Sequence, residues 1–429
     1  MKNSFNLKYD IVIVGGGTSG CAAAYNSAKL GFKTLLVEKN NFLGGLMTAG
    51  LVVPVMKSSL DETNSDYYKV LVSKMKEYNA QITYFDNNDG WFNPEILKIA
   101  LDDILFSSEI SKNLDILFET TVDKVFTKDG VIENIILNSN LLSIPIDAMY
   151  YIDATGSAEF SIKAGCELLK DTSIKQQNTL RFVLGNVNIE QFCDFITSID
   201  KDRNITNTYR NDVNTRNELH FTTASTWDEN KTWAVDSLLK KGVEDGILKE
   251  DDRSYFQIFS IAGSTNEVAF NCPRINNFID NPFKYSLELI NARKAIYRLY
   301  RFVKKYFKGF KDSTIVNIAT QTGIREQNRV KTKYIYKKED LISSKKFENP
   351  VLKANYPIDI HSKDKNGSIL QKNVSYEFPL ESLMSYNFQN LFVIGKIIGA
   401  EFEAHSALRV QKSCMSMGEA IVKYIKKNY

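Results

Sequence analysis

The chain has 429 residues, of which 43% are hydrophobic and 24% are charged, as in an ordinary globular protein. This length predicts a large core divided between two closely joined domains. The formal net charge of +3 is too small for such a length to indicate a nucleic-acid partner. The first residues, MKNSFNLKYD, are polar, and no apolar run is long enough to cross a bilayer. We therefore expect no membrane span and a cytoplasmic location.

The cysteines are scattered along the chain, and none forms a C-x-x-C pair. This spacing gives no support for a dithiol redox pair, a zinc site or an iron–sulfur cluster, so we expect no bound metal. We interpret Cys21 as a packing residue of the first helix. Whether Cys414 reaches an active site is left open.

Residues 9–38 predict a buried strand, a glycine turn, a helix and a second strand that ends in an acidic residue. Gly15, Gly17 and Gly20 form G-x-G-x-x-G, which permits a tight turn, approach of a pyrophosphate and close packing of the helix. Glu38 ends the second strand, where a carboxylate can accept hydrogen bonds from both hydroxyls of an adenosine ribose. The stretch therefore predicts a dinucleotide site, with the helix N-terminus at the phosphates.

The acid at Glu38 disfavours a 2′-phosphate, which leaves FAD or NAD as the dinucleotide. A second glycine pair in Phe42–Gly50 follows directly, and a backbone without side chains there can lie against a long cofactor. The chain resembles the FAD-dependent oxidoreductase family that contains the glutathione-reductase-like, two-dinucleotide-binding flavoproteins. The resemblance is dense in four segments, Tyr9 to Gly50, Tyr150 to Phe160, Thr322 to Val330 and Asn390 to Ile421. A plain NAD dehydrogenase is the alternative that these segments disfavour.

Residues 60–112 have apolar side chains at helical spacing, with Asn93 as an N-cap and Pro94 at the first helical position. The following stretch predicts three strands, the last two joined by a tight turn at Asp129-Gly130, as in a small antiparallel sheet. The family resemblance implies that Val122, in this sheet, approaches the adenine with its backbone.

The stretch Tyr150 to Phe160 predicts a strand that ends at Asp153 and turns at Ala154, Thr155 and Gly156. Relatives have A-T-G at the matching turn, close to the cofactor phosphates. Together with the first glycine turn, this segment supports the flavoprotein interpretation.

Residues 171–375 are expected to form the substrate domain, with a return toward the flavin near residue 320. A hairpin is predicted around Gly263 to Asn266, followed by a long helix from about residue 283 to 310. The basic residues at the end of this helix suit a helix C-terminus and a solvated face. An RNA-binding surface around Lys304 to Lys311 is the alternative.

The segment TGIREQNRV resembles a family segment and has Arg325, Glu326 and Arg329. Arg325 and Glu326 are candidates for binding a polar substrate, and a buried Arg–Glu pair with a purely architectural role is the alternative. His361 also matches a family segment. We favour a surface position for His361 over an approach to the active site.

The C-terminal segment predicts a buried strand, Gly395, a loop and a final helix. In related flavoproteins this helix begins at the pyrimidine edge of the flavin, where its dipole stabilises negative charge. His405 is a candidate proton donor or acceptor, flanked by Glu403 and Arg409, and Arg409 is a candidate for clamping a carboxylate or balancing reduced flavin. Lys396 stands where many relatives have arginine, so no role is assigned to it.

No histidine precedes His220, so the covalent flavin attachment that uses an early histidine is not indicated. We predict non-covalent FAD and hydride transfer between flavin N5 and a small polar organic substrate. No second G-x-G-x-x-G is present for a built-in nicotinamide domain. The electron partner is left open between NAD(P)H, oxygen, a quinone and a redox protein. A flavin-dependent RNA-modifying enzyme and a non-redox FAD-binding sensor are the rival interpretations.

The predicted fold is α/β, with a Rossmann-like FAD-binding domain, a small antiparallel crossover sheet and an inserted α+β substrate domain. The FAD-binding domain is expected to comprise residues 1–170 and 376–429. The candidate catalytic residues are His405, Arg409, Arg325 and Glu403. The residues expected to bind FAD are Gly15, Gly17, Thr18, Ser19, Gly20, Glu38, Lys39, Gly44, Gly45, Leu46, Met47, Val122, Ala154, Thr155, Gly156, Gly395, Ser406, Leu408 and Val410.

Overall fold

The computed structural model describes residues 7–56, 63–83, 89–169, 175–203, 205–211, 218–225, 231–362, 366–368 and 374–429. The strands are β1 Leu7–Val14, β2 Thr34–Val37, β3 Gln81–Thr83, β4 Asp89–Phe92, β5 Leu114–Leu117, β6 Thr120–Lys128, β7 Val131–Ser139, β8 Leu142–Asp153, β9 Asn178–Thr179, β10 Phe182–Gly185, β11 Thr206–Asn211, β12 Glu218–Ala224, β13 Gln257–Ser260, β14 Val268–Phe270, β15 Arg274–Ile275, β16 Thr314–Ile318, β17 Pro350–Ala354, β18 Asp359–His361, β19 Asn366–Ser368, β20 Tyr376–Pro379 and β21 Leu391–Val393. The α-helices are α1 Thr18–Lys29, α2 Asp66–Glu77, α3 Pro94–Leu105, α4 Glu159–Ala164, α5 Ile189–Ile199, α6 Val235–Glu244, α7 Pro282–Tyr306, α8 Lys338–Ile342, α9 Phe402–Leu408 and α10 Gln411–Asn428.

The first sheet has the strand order β5-β2-β1-β8-β7-β6, and β21 also pairs with β8. The pairs β2–β5, β1–β2, β1–β8 and β8–β21 are parallel, whereas β7–β8 and β6–β7 are antiparallel. β8 is long enough to serve both parts, because its first half pairs with β7 and its second half with β1 and β21. The predicted α/β class, with a parallel central sheet and an antiparallel extension, is confirmed.

The carboxyl ends of the parallel strands lie side by side at one edge of this sheet. Val14 is in register with both Val37 and Asp153, and Asp153 is in register with Val393. In open sheets of this kind, ligands bind outside the carboxyl ends of the strands. The fold thus brings together the ends of four strands that are far apart in sequence.

Helices α1, α2, α3 and α10 cover one face of the sheet and share one core cluster with it. α1 and α10 pack closely, since a Cβ at Gly418 would lie only 2.3 Å from the backbone oxygen of Ser19. The predicted N-cap of α3 is confirmed, because Asn93 Oδ1 accepts hydrogen bonds from the amides of Glu95 and Ile96 at 3.0 and 3.2 Å. The region expected to be helical also contains the short hairpin β3–β4.

A second sheet has the order β11-β12-β13-β14-β10-β16 and a separate core that includes α5, α6 and α7. Its core is rich in phenylalanine, and the Phe182 and Phe270 rings stack at 4.3 Å between centroids. The predicted hairpin is confirmed as β13–β14, and the predicted long helix is confirmed as α7. Gly263, in the hairpin turn, has φ +72°, a value that favours glycine.

Several residues between β16 and β21 pack on the first core, although Ala319 belongs to the second core and Val330 to a third cluster on the first sheet. Tyr336, Leu352, Tyr376 and Phe378 belong to the same cluster as α1 and α10. The division of the chain into a substrate domain at 171–375 stays a prediction, and this packing joins its last part to the first sheet. Among the described helices, none combines the length and apolar character needed to cross a membrane.

Candidate functional site

A cavity of about 480 Å³ lies at the carboxyl ends of the parallel strands. Its walls come from the first glycine turn, the turn after β8, the segment after β21 and the segment between β16 and α8. Arg181, which precedes β10, and two side chains of α7 complete the wall on the side of the second sheet. The cavity therefore lies between the first sheet and the part of the chain that surrounds the second sheet.

The first glycine turn has the geometry that its sequence predicts. Gly15 has φ +108°, and a Cβ there would lie 2.5 Å from the Ala154 oxygen. A Cβ at Gly20 would lie 1.8 Å from the Gly15 oxygen, so helix and strand require glycine at this contact. A Cβ at Gly17 would meet nothing closer than Gly45 Cα at 3.9 Å, and Gly17 lines the cavity. The missing side chain at Gly17 thus leaves room for a ligand at the backbone.

The N-terminus of α1 faces this space. Thr18 and Ser19 begin the helix and line the cavity, and no side chain caps the helix at Gly17. The first amide groups of a helix lack partners within the helix and, with the helix dipole, favour an anionic ligand. The turn therefore combines an open backbone with amides suited to phosphate.

The second glycine pair packs directly on the first turn. The amide of Gly44 donates to the Gly16 oxygen at 2.9 Å, and a Cβ at Gly45 would lie 2.9 Å from Gly17 Cα. Gly45 and Leu46 line the cavity. Of the candidate residues in these two glycine segments, Gly20, Gly44 and Met47 do not line it, because they support the backbone from behind.

Glu38 is buried and its carboxylate is held from two sides. The Gly16 amide donates to Oε2 at 2.7 Å, and the backbone amide and side chain of Asn40 donate to Oε1 at 2.8 and 2.6 Å. Burial raises the pKa of Glu38, an effect that the bonds from Asn40 and Gly16 oppose. Glu38, Lys39 and Val122 line the cavity together, as expected for the ribose and adenine end of a dinucleotide site.

The turn after β8 is organised by the buried carboxylate of Asp153. Oδ1 accepts from the amide and hydroxyl of Thr155 at 3.0 and 2.7 Å, and Oδ2 accepts from the amide and hydroxyl of Ser161 at 2.8 and 2.6 Å. These bonds fix Ala154, Thr155 and Gly156, all of which line the cavity. Asp153 is therefore a scaffold for the turn.

Gly395 and the residues after it form the opposite wall. Gly395 has φ +81° and lines the cavity with Lys396, Arg409 and Cys414. Lys396 Nζ donates to the Ile324 oxygen at 2.7 Å, and burial lowers its pKa to about 8. Burial raises the pKa of the Cys414 thiol to about 12, so the thiol is protonated at neutral pH although it reaches the cavity.

Several candidates from α9 and its surroundings do not line the cavity. His405 is fully buried, its Nε2 lies 2.8 Å from the Lys396 oxygen, and burial lowers its pKa well below the usual value. Glu403 forms a 3.8 Å ion pair with Lys338. Ser406, Leu408 and Val410 also lie behind the wall. His405 and Glu403 do not contact the cavity, and a direct role for either residue in proton transfer stays a prediction.

The segment with Arg325, Glu326 and Arg329 divides into two parts. Arg325 lines the cavity, and its Nη1 donates to the Gln177 oxygen at 2.7 Å and to Thr179 Oγ1 at 2.9 Å. Glu326 and Arg329 form a buried pair at 3.5 Å, the architectural alternative for this segment. Burial raises the pKa of Glu326 to about 7.

The structure adds residues that the sequence did not indicate. Arg181 is buried and lines the cavity, and its Nε donates to Asn271 Oδ1 at 2.9 Å. The sequence feature that could have indicated Arg181 is its position directly before β10, a strand that has no polar side chain. His361 is buried, not at the surface as expected, because Asp359 and Arg274 provide hydrogen-bond partners on both sides of its ring.

A sequence profile described as FAD dependent oxidoreductase matches residues 10–422. The chain belongs to the FAD dependent oxidoreductase family. The family makes the protein a flavoenzyme whose cofactor is FAD, as the sequence predicted. The residues present fit this cofactor, because the backbone at Gly17 leaves room for a phosphate beside the first amides of α1 and the carboxylate of Glu38 lines the same cavity at the end of β2.

Two curated enzymes and one solved structure illustrate what the chain is similar to. The chain is 29% identical over 162 residues to the thiamine thiazole synthase of Methanococcus aeolicus, which covers 35% of this chain and 56% of that enzyme. It is 27% identical over 183 residues to the thiamine thiazole synthase of Pyrococcus horikoshii, covering 39% and 65%. A geranylgeranyl bacteriochlorophyll reductase-like protein from Thermoplasma acidophilum matches with TM-score 0.47 and 14% identity over 98% of this chain and 78% of that one. The matched part therefore spans less than two thirds of these two thiazole synthases.

Proposed function

We propose that this flavoenzyme transfers a hydride equivalent between a small polar organic substrate and N5 of non-covalently bound FAD. The observation that carries the proposal is the continuity of one cavity, which runs from the dinucleotide turn to three arginine side chains. Bound FAD supplies a two-electron centre that accepts or donates hydride. The protein must then place the substrate, exclude water and balance charge.

The cofactor end of the cavity is built from backbone groups and one carboxylate. The amides at the start of α1 and the turns at Gly17 and Gly156 are suited to the pyrophosphate, and Glu38 is suited to the ribose. Val122 and Lys39 flank the adenine end.

The other end of the cavity is suited to a polar substrate. Arg325 and Arg409 stand on segments that the family resemblance associates with the flavin edge, and both line the cavity. Arg409 Nη2 is held by Gln176 Oε1 at 3.3 Å and by Asp359 Oδ2 at 3.1 Å. Tyr285 and Leu289 of α7 line the cavity on the side of the second sheet. The second sheet is thus the part to which we assign substrate choice.

The rival functions find less support. Along the basic end of α7, Lys305 pairs with Asp245 at 2.5 Å, and Lys304 donates to the Ser313 oxygen at 3.3 Å. The ion pair of Lys305 with Asp245 reduces the positive charge that this end of α7 offers to RNA. We propose a cytoplasmic enzyme whose electrons are exchanged with NAD(P)H, oxygen, a quinone or a redox protein.

Anaerobic spectroscopy tests the proposal. The FAD-loaded protein is mixed with chromatographic fractions of a small-molecule extract, and the flavin absorbance is followed, with free FAD in the same fractions as the control. We expect one fraction to bleach the bound flavin alone. Loading with 5-deaza-FAD, which takes up hydride but supports one-electron transfer poorly, should preserve the reaction. Hydride transfer is contradicted if every fraction shifts the flavin spectrum without bleaching it. It is also contradicted if the protein is first reduced chemically and no fraction then reoxidises the flavin. Either result favours the sensor.

A further inference from the structure

One short segment, residues 176–181, gathers three arginines that are far apart in sequence. Gln176 Oε1 accepts from Arg409 at 3.3 Å, and the Gln177 oxygen and Thr179 Oγ1 accept from Arg325 at 2.7 and 2.9 Å. Arg181 belongs to the segment itself. All three guanidinium side chains line the same end of the cavity.

The charges of these arginines are not balanced within the protein. Arg181 bonds to Asn271 and to the Leu51 oxygen, and Arg325 bonds to Gln177 and Thr179, all of them neutral groups. Among the described residues, Asp359 is the one carboxylate that bonds to any of the three, and it bonds to Arg409. Glu326, whose pKa burial raises to about 7, is a second carboxylate near Arg409, and Arg274 adds a further positive charge near Arg325. In this buried place the positive charges therefore outnumber the negative ones.

Burial lowers the pKa values of two of these arginines, and neighbouring positive charges add to the effect. Burial, and then the neighbouring charges of Arg409, Arg181 and Arg274, lower the pKa of Arg325 to about 9. Burial likewise lowers the pKa of Arg181 to about 10. Because guanidinium groups stay protonated in proteins, such shifts mean that an anion entering the cavity would stabilise these charges.

Asp359 forms its ion pair with Arg409, because His361, which also bonds to its carboxylate, is neutral. Arg274 Nη2 lies 2.9 Å from His361 Nδ1, and a guanidinium can only donate, so Nδ1 accepts. His361 is therefore neutral and carries its proton on Nε2, which donates to Asp359 Oδ2 at 3.1 Å. This chain of bonds positions Arg409 from behind the cavity wall.

We propose that the substrate of this cavity is a carboxylic acid whose carboxylate is bound by Arg181, Arg325 and Arg409. The assignment rests on the proposed function, which it deepens by naming the substrate class. A planar guanidinium fork matches the two oxygens of a carboxylate. A carboxylate also joins the carbon skeleton directly, so that binding it holds the neighbouring C–H or C=X carbon close by. The apolar side chains of Val52 and Leu289 on the same wall suit that skeleton.

Binding of acids and their neutral amides to the FAD-loaded protein tests the proposal without turnover. The probes are acetate, succinate and benzoate, each paired with acetamide, succinamide or benzamide, and the readouts are calorimetry and the flavin difference spectrum. We expect at least one acid to bind roughly 10-fold or more tightly than its amide, with an affinity that falls as salt rises. Acids that bind no better than amides in all three pairs overturn the proposal.

Variants then identify the arginines responsible. Arg181→Gln, Arg325→Gln and Arg409→Gln should each weaken acid binding by roughly 10- to 100-fold with less effect on the amide. Arg293→Gln, an exposed site on α7, removes the same charge elsewhere and should leave the affinity unchanged. Where a glutamine variant fails to fold, the corresponding lysine variant retains the charge without the fork and should show a smaller loss. Circular dichroism and FAD content establish folding.

Several outcomes contradict the assignment and are separable from a failure of the redox proposal. Folded variants that bind the acids normally, or that lose FAD instead of the acid, overturn the carboxylate site. Inorganic phosphate that binds more tightly than every acid overturns the substrate class. Flavin bleaching by an extract fraction that survives all three variants refutes this site alone. Arginine-dependent acid binding, in a protein whose flavin no fraction bleaches or reoxidises, refutes hydride transfer alone.

Discussion

Replacing Gly17 by alanine should affect folding and cofactor binding in opposite directions. Gly17 has φ −79°, which any residue adopts, and an added Cβ would lie 3.9 Å from its nearest neighbour. The apoprotein therefore has room for the methyl group. The same methyl group would enter the cavity where the pyrophosphate must approach the backbone.

The expected magnitudes follow from this geometry. Without native strain, alanine restricts the unfolded chain and stabilises the apoprotein by about 0.4–1 kcal/mol. In the complex, the methyl group displaces phosphate from backbone amides, and each lost bond to a charged group costs about 1.5–3 kcal/mol. The dissociation constant for FAD should thus rise roughly 10- to 100-fold. Gly20→Ala differs, because its Cβ would overlap the Gly15 oxygen at 1.8 Å and destabilise the fold itself.

Two measurements on the apoprotein separate these effects. Quenching of flavin fluorescence on titration gives the dissociation constant, and urea unfolding gives the free energy of unfolding. Gly31→Ala is the matched control, since Gly31 has φ +87° with no heavy atom within 4 Å of an added Cβ, so strain lowers stability without touching the cavity. The reasoning is refuted if Gly17→Ala binds FAD like the wild type, or if its apoprotein unfolds at lower urea.

Three further predictions concern the same cavity. Glu38→Gln removes the charge that we assign to the ribose, so the dissociation constant for FAD should rise roughly 10-fold in the fluorescence titration, and an unchanged value would contradict that role. Lys396 has its pKa lowered from 10.5 to about 8 by burial, so the unfolded chain binds its proton more tightly. As the pH rises from about 8 to 10.5, the free energy of unfolding of the wild type should therefore increase relative to that of Lys396→Met by up to about 3 kcal/mol. A difference between the two free energies that stays the same at both pH values would argue against a buried ammonium. Acid precipitation should release yellow flavin into the supernatant, whereas a coloured pellet that turns colourless in Cys414→Ser would indicate a covalent link.

The parts of the site that depend on backbone conformation were predictable from local sequence. The turn at Gly15 and Gly20 needs glycine because of contacts within one strand–turn–helix unit, so spacing alone reveals it. Glu38 follows from the same unit. The turn held by Asp153 was found through its resemblance to relatives, since its hydrogen bonds to Thr155 and Ser161 have no distinct sequence pattern.

Side-chain position within α9 was harder to predict. His405 and Arg409 are four residues apart, yet Arg409 lines the cavity and His405 is buried behind it. A histidine beside a flavin edge is a reasonable candidate for proton transfer by residue type. Whether it faces the cavity depends on where the Lys396 backbone oxygen stands, since that oxygen lies 2.8 Å from Nε2. The tertiary fold, rather than the local pattern, places that oxygen.

The net charge at the arginine end of the cavity could not be predicted, because it depends on residues from distant segments of the chain. Arg181 and Arg325 come together through the antiparallel contact between Thr179 and Gly323, which connects segments about 145 residues apart. Each arginine alone suggests an ordinary ion pair, and only the three-dimensional structure shows that, among the described residues, Arg409 alone of the three bonds to a carboxylate. It follows that the two ends of the cavity can change independently. Substitutions in the second sheet and its neighbours can alter substrate charge and shape while the glycine turns and Glu38 keep the cofactor.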